Sequence, residues 1–300
     1  MPESIKREES SANLTYYPFN SDRKFKIYEL NSVILDCHYK IACSMKRNYI
    51  YLFGILSILA VIFSCSQKPP KGSPLSLWAE IDKKAPPNTL TGKEASKGWV
   101  LLFDGSTSNG WHGYNMNEFP DCWAIEEGAL TMNTTGGGES QDIITNRKYK
   151  NFALSLEYKL TKAANSGIIY QIEEDTIYKY PYETGPEFQV IDHEGWPDKL
   201  EDWQINGANY AMYPPKVKPY KPVGEWNQAM LVVNGNKVTQ ILNGEVVVEY
   251  EKYSDEWNKL RNSGKWADYP DWGKFDEGYI SLQNHGTKVW YRSIKLKELQ

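Results

Sequence analysis

The chain has 300 residues, 41% of them hydrophobic and 14% aromatic, and carries a formal net charge of −4 at pH 7. That charge is spread without a basic stripe, which argues against a nucleic-acid partner. Three of the four cysteines are Cys37, Cys43 and Cys65, so the sequence beyond residue 65 holds Cys122 alone and has no internal disulfide framework.

In chain order, the first strong signal is Met45 to Cys65, MKRNYIYLFGILSILAVIFSC. Lys46 and Arg47 form a basic start, and Tyr49 to Phe63 give about 15 mostly apolar residues, short of the ~20 that a spanning helix needs. Ile62-Phe63-Ser64-Cys65 then closes the run with a small residue before a cysteine. This is the layout of a bacterial lipoprotein signal over residues 45–64, with cleavage before Cys65 and acylation of that residue. More than one acyl chain makes such an anchor stable. Residues 1–44 are polar and too long for the start of a signal, so the expected start of translation is Met45, with 1–44 an upstream extension. Residues 65–87 then read as the lipidated cysteine and a tether containing the Pro-rich Gln67 to Pro74.

Residues 88–300 read as the folded domain. Thr91-Gly92-Lys93-Glu94 has capping-box spacing, which predicts a short helical turn. Cys122, beside Trp123 in an apolar run, is expected to be a buried thiol. From Phe152 to Leu160, Phe152, Leu154, Leu156, Tyr158 and Leu160 alternate with Ala153, Ser155, Glu157 and Lys159, the period of a strand. Asn234-Gly235-Asn236 and Asn243-Gly244-Glu245 predict two hairpins, because Asn and Gly accept positive φ. Tyr250 to Lys274, with Trp257, Trp266 and Trp272, reads as loop and short helix at a rim. Tyr279 to Leu282 and Lys288 to Leu296 read as a closing pair. Short strands at regular spacing predict an all-β fold of two antiparallel sheets packed face to face. There is no phosphate-binding glycine loop, paired-histidine zinc motif or nucleophile elbow. Gly136-Gly137-Gly138 lacks the lysine and helix that a phosphate cradle requires.

Six segments in order carry a resemblance: Asn88 to Tyr114, Asp142 to Leu160, Ala164 to Ile172, Gly185 to Glu194 (GPEFQVIDHE), Lys221 to Tyr250, and Ile280 to Leu299 (ISLQNHGTKVWYRSIKLKEL). Together they resemble the 3-keto-disaccharide hydrolase domain family, also described as 3-keto-glucoside 1,2-lyase/3-keto-2-hydroxy-glucal hydratase. The resemblance implies a concanavalin-like jelly-roll β-sandwich and an exported protein of the Bacteroidota type. It implies an oxidised di- or oligosaccharide or glycoside as substrate, cleaved at C1 by elimination and hydration. A ketone at C3 acidifies the C2 hydrogen, so the reaction needs a base near C2, a donor or metal for the enediolate and an acid for the leaving oxygen.

Several residues answer these needs. Glu187, Gln189 and Ile191 share one face of their strand while Phe188 and Val190 share the other, so Glu187 and Gln189 should project from the apolar core onto an open face. Asp192 and His193 follow at the strand's end, and His285 lies in the Gln283-Asn284-His285-Gly286 connection. Glu187, Asp192 and His285 are the candidates for acid and base work, or for ligation of a divalent metal ion. Gln189, His193, Glu157, Lys159, Asn165, Arg292 and Trp196 are candidates for substrate binding. Glu157 and Lys159 can reach Glu187 or simply pair across strands. Arg292 can grip an enediolate or brace an acid. Asn165-Ser166-Gly167 is expected to serve turn geometry, and His112 to be a surface residue. Trp111, Tyr170, Trp196 and Trp203 are the aromatic candidates for stacking on sugar. A polar face rimmed by aromatics equally suits a non-catalytic glycan-binding module. Two carboxylates facing each other would suit a conventional endo-glycosidase. Ser66-Gln67-Lys68 carries no acidic run, so the expected position is the outer membrane facing the periplasm, held by the lipid anchor alone.

Overall fold

A computed structural model describes residues 69–132 and 141–300. The signal-like run, Cys65 and Gly136-Gly137-Gly138 lie outside the described residues, and no described helix is long and apolar enough to cross a membrane.

The described chain begins with two short helices, α1 (Pro74–Trp78) and α2 (Gly92–Ala95), and then runs through strands β1 (Val100–Leu101), β2 (Trp111–Gly113), β3 (Trp123–Glu126), β4 (Ala129–Met132) and β5 (Ile143–Thr145). These are followed by β6 (Phe152–Leu160), β7 (Asn165–Ile172), β8 (Glu187–Ile191), β9 (Asn227–Asn234), β10 (Lys237–Leu242) and β11 (Glu245–Glu251). Helix α3 (Asp255–Ser263) precedes β12 (Tyr279–Leu282) and β13 (Val289–Glu298). The strands form two antiparallel sheets in a jelly-roll sandwich. The larger runs β11-β10-β9-β6-β13-β4-β3, with β1 also on β13, and the smaller runs β2-β5-β12-β7-β8.

Period-two alternation decides what lies between the sheets. Phe152, Leu154, Leu156, Tyr158 and Leu160 of β6 meet Ile168 and Tyr170 of β7 and Phe188 and Val190 of β8 in the main core, which also holds Cys122. Burying such side chains is the main favourable term in folding, at about 25 cal/mol for each Å² of apolar surface. The outer face of the larger sheet is covered in part by the N-terminal segment, where Leu77, Ile81 and Trp99 pack on Ala153, Met230, Val232 and Ile241. Thr91 and Glu94 form the expected capping box at α2. Glu94 also accepts from Asp82 N and takes the ammonium of Lys295 of β13 at 2.7 Å, both side chains being buried. Burial opposes charge on Glu94, but the hydrogen bonds from Lys295, Thr91 and Asp82 outweigh it and hold the carboxyl below its ordinary range.

Both expected hairpins form. The β10–β11 turn places Asn243 at φ 49° and Gly244 at φ 95°, the positive pair that lets a two-residue connection match the strand twist. Two expectations need correction. β12 and β13 do not pair with each other: β12 lies between β5 and β7 in the smaller sheet, and β13 between β6 and β4 in the larger, so the chain crosses the sandwich between them. The segment after β11 is not a rim either. Trp257, Trp266 and Trp272 are buried in the main core, with Trp266 and Trp272 stacked at 4.6 Å and Trp257 and Trp272 at 5.7 Å.

Candidate active site

The register of the smaller sheet fixes which side chains share its outer face. One row across it reads His112, Ile144, Ser281, Ile169 and Glu187, each opposite the next on neighbouring strands. The next row on that face holds Asp142, Gln283, Gly167 and Gln189. Gly167 is paired with Gln189, and its carbonyl accepts from Gln283 N at 2.9 Å. Glu187 therefore starts on β8, diagonal to Gly167. Its side chain lies across that glycine, since a Cβ there would stand 2.7 Å from Cδ and 2.8 Å from Cγ of Glu187. The carboxyl is thereby sent over β7 toward the row of Gln283 and Asp142. Asn165-Ser166-Gly167 thus lies within a strand rather than at a turn, and its glycine clears a path.

Above this row opens a cavity of about 710 Å³ lined by Tyr114, Asp142, Tyr180, Tyr182, Gln283 and His285, among others. Glu187 is only 4% exposed, so the expectation of an open, solvated carboxylate is corrected. Burial pushes its pKa up to about 8; the Lys265 ammonium pulls it down and the nearby Asp142 carboxylate pushes it up. Asp142 is itself raised to about 7 by desolvation, against the pull of the Asn284 N–H that it accepts at 2.8 Å. Two carboxyls shifted toward neutrality by burial, one of them raised further by the charge of the other, are the physical mark of an acid–base pair.

Lys265 comes from the 3-10 turn Lys265–Asp268 that follows α3. Its ammonium lies over the rings of Tyr210, Trp266 and Tyr182 at 4.6, 4.8 and 5.1 Å. Burial lowers its pKa while Glu187 raises it. The segment that carries Lys265 is fastened to the β7–β8 connection. Gly273 N donates to Thr184 O at 2.7 Å, and Tyr178 Oη donates to Asp271 at 2.9 Å.

The other expected residues divide. His285 is exposed and lines the cavity, reached through Asn284 from Asp142. Gln189 is buried beside Gly167; its Nε2 donates to Asn165 Oδ1 at 3.3 Å and its Oε1 has no protein partner. Asp192 is not gathered with Glu187 and His285. Its two oxygens accept from Ala163 N at 2.8 Å and Gly195 N at 3.1 Å, which makes it a brace for the turn after β8. His193 packs edge-on against Tyr220 at 4.4 Å, with burial lowering its pKa. Asp192 and His193 line a separate small recess, and Trp196 lies outside the cavity lining.

Glu157, Lys159 and Arg292 belong to the outer face of the other sheet. Arg292 Nε donates to Glu157 at 2.9 Å, and Trp226 lies under both Arg292 and Lys159. They do not approach Glu187, because alternation on β6 turns them away from the core on the side opposite to β8. Trp111 and Tyr170 are core residues, and Trp203 packs edge-on against Tyr210. Among the described residues no three His, Cys, Asp or Glu side chains gather to hold a metal ion, so Glu187, Asp192 and His285 do not form one ligand set.

Asp142 and Lys265 did not emerge from the sequence. Asp142 opens a segment that matches the family, but only the Asn284 N–H and the lateral strand order join it to Glu187. Lys265 sits in the insert whose packing the local pattern did not disclose.

Residues 98–297 match the family described as the 3-keto-alpha-glucoside-1,2-lyase-like domain. The chain is 33% identical over 275 residues to the 3-keto-disaccharide hydrolase of Bacteroides thetaiotaomicron, covering 80% of this chain and 94% of that protein. A crystal structure of a candidate glycosyl hydrolase from Parabacteroides distasonis is 38% identical, with a TM-score of 0.68 over 72% of this chain and 100% of that one. A second such structure from the same organism, 21% identical with a TM-score of 0.51, shares the fold over 74% of this chain and 95% of its own. By the match that spans both sheets and the segments bearing Asp142, Glu187 and His285, the chain belongs to the 3-keto-alpha-glucoside-1,2-lyase-like family.

Proposed function

We propose that this protein cleaves the C1 bond of 3-keto-glycosides by elimination followed by hydration, with Asp142 and Glu187 as its acid–base pair. The observation that carries the reading is that Asp142, which lines the cavity, raises the buried Glu187 carboxyl that lies across Gly167 behind it, with pKa values raised to about 7 and about 8. Near neutrality Glu187 holds its proton, while Asp142 is poised to accept one.

In the first half-reaction Asp142 takes the C2 proton, and the electron pair forms an enediolate with the C3 ketone. That pair then forms the C1–C2 double bond, restoring the ketone and expelling the C1 oxygen, which takes the proton from Glu187. In the second, ionised Glu187 accepts a proton from water as its oxygen adds to C1. Asp142 returns a proton to C2. The net change is hydrolysis, and both carboxyls recover their starting states. Gln283 and His285 at the cavity wall are suited to hold sugar hydroxyls, and Lys265 supplies positive charge close to Glu187.

The family name of the curated relative supports a ketone-bearing sugar as substrate. The two-carboxylate arrangement taken alone also supports ordinary glycoside hydrolysis. Incubation of the purified protein with a 3-keto-disaccharide and with its unoxidised parent separates the two: the proposal requires cleavage of the ketone and none of the parent. Cleavage of the parent at a comparable rate would reject it. The signal-like sequence supports export with a lipid on Cys65, tethering residues 88–300 at the periplasmic face of the outer membrane.

A further inference from the structure

A second cavity, of about 510 Å³, opens on the same face of the smaller sheet, at its β2 edge, lined by His112, Asn115, Met116, Asn117, Asn146 and Glu174 with Trp111. His112 is not the loose surface residue that the sequence suggested. Its Nδ1 meets Asn146 Oδ1 at 2.7 Å and its Nε2 meets Glu174 at 3.2 and 3.3 Å. Glu174 is held in turn by Asn115 N at 2.9 Å, and the Asn115 amide donates to the carbonyls of Tyr178 and Asp175. The wall is therefore built before any ligand arrives, and preorganised groups spare a binding event the cost of ordering them.

Resting on the reading of the first cavity as the site of keto-sugar cleavage, we propose that this second cavity is a subsite for a neutral, polyhydroxylated ring, the next sugar of an oligosaccharide substrate. Its chemistry selects that class. The Asn117 amide, the Asn146 amino group and the Asn115 amide oxygen remain to offer donors and acceptors side by side, as a pair of neighbouring hydroxyls requires. The Glu174 carboxylate with no lysine or arginine in the lining disfavours an anion, and the polar lining disfavours an apolar ligand.

Its place fits as well. His112 is paired with Ile144, which lies two residues along β5 from Asp142 on the same face. One strand spacing and two residues set His112 about 8 Å from Asp142. That separation is on the scale of neighbouring sugar rings. The two cavities also share their walls. Tyr114 lines the first and Asn115 the second, and the β7–β8 connection gives Tyr180 and Tyr182 to one and Glu174 to the other. Tyr114 Oη donates to Glu173 O at 3.0 Å, fixing the partition between them.

The test compares methyl 3-keto-glucoside, which cannot reach the second cavity, with a 3-keto-disaccharide, using wild type, His112→Ala and Asn117→Ala. Losing the Asn117 hydrogen bonds to the second ring, or the His112 brace that holds Asn146 and Glu174 in place, should lower kcat/KM for the disaccharide about tenfold, chiefly through KM, and leave the methyl glycoside within about twofold. An equal loss on both substrates, or on neither, overturns the subsite. Asn117→Ala, at an exposed position, guards against misfolding of the His112 variant. If wild type turns over neither ketone, the cleavage reading fails, and saturation-transfer NMR with maltotriose decides the subsite separately. Transfer to wild type that disappears in both variants supports it. Transfer unchanged by the variants, or absent from wild type, overturns it.

Discussion

Glu187 can lie across β7 only because residue 167 is glycine: a methyl group there would stand 2.7 Å from the Glu187 carboxyl carbon. The obstructed atoms are the far end of a flexible side chain, so Gly167→Ala should push the carboxyl aside rather than unfold the sheet. A displacement on the order of 1 Å can cost about a hundredfold in rate. Steady-state kinetics should show a loss of that size, with thermal unfolding changed by only a few degrees.

Burial of Glu187 makes a signed prediction about stability. Its pKa rises on folding from the usual 4.5 to about 8, so between these values the folded chain keeps a proton that the unfolded chain releases. Wild-type stability therefore falls as pH rises through that window, and the cost is complete above about pH 8. Glu187→Gln removes the cost. Denaturant unfolding of both proteins from pH 4 to 9 should show the variant gaining on wild type, by an order of a few kcal/mol at the alkaline end.

The pH profile should report the coupled pair. Activity is expected to rise with an apparent pKa near 7 and fall with one near 8, both belonging to the pair rather than to single residues. Asp142→Asn removes the like charge that raises Glu187. In that variant the carboxyl titration followed by NMR should show the Glu187 value moved down.

Lys265 acts in the opposite sense. Its ammonium draws Glu187 downward, so Lys265→Met should carry the alkaline limb to higher pH. Because Lys265 is exposed overall, its removal should alter stability little, and a shifted limb with an unshifted melting curve is the expected pair of results.

The parts of this architecture that depend on local rules were legible in the sequence. Alternation along Phe152–Leu160 named the core face of β6, Thr91 and Glu94 marked α2, Asn243-Gly244 marked a tight turn, and Phe188 and Val190 put Glu187 and Gln189 on the opposite face. What was hidden depends on lateral order between distant strands. Alternation says that Glu157 and Glu187 both turn away from the core, but not that β6 and β8 lie in different sheets, which sends them to opposite outer surfaces. The same gap concealed the crossing from β12 to β13 and the approach of Asp142 to Glu187. Asp192 looked chemical by residue type, yet its two oxygens are occupied by Ala163 and Gly195 N–H groups, bonds that only the turn geometry reveals. Lys265 was concealed because three buried tryptophans fold the insert inward, and composition alone left it at a rim.

The central claim is that a proton leaves C2 before the C1 bond breaks, and its most direct measurement is isotope incorporation. A 3-keto-disaccharide turned over in deuterium oxide should yield 3-keto-glucose carrying deuterium at C2. Asp142→Asn should abolish both incorporation and cleavage, and the unoxidised disaccharide should remain intact. Released sugar with no deuterium at C2, at any extent of cleavage, would contradict the account.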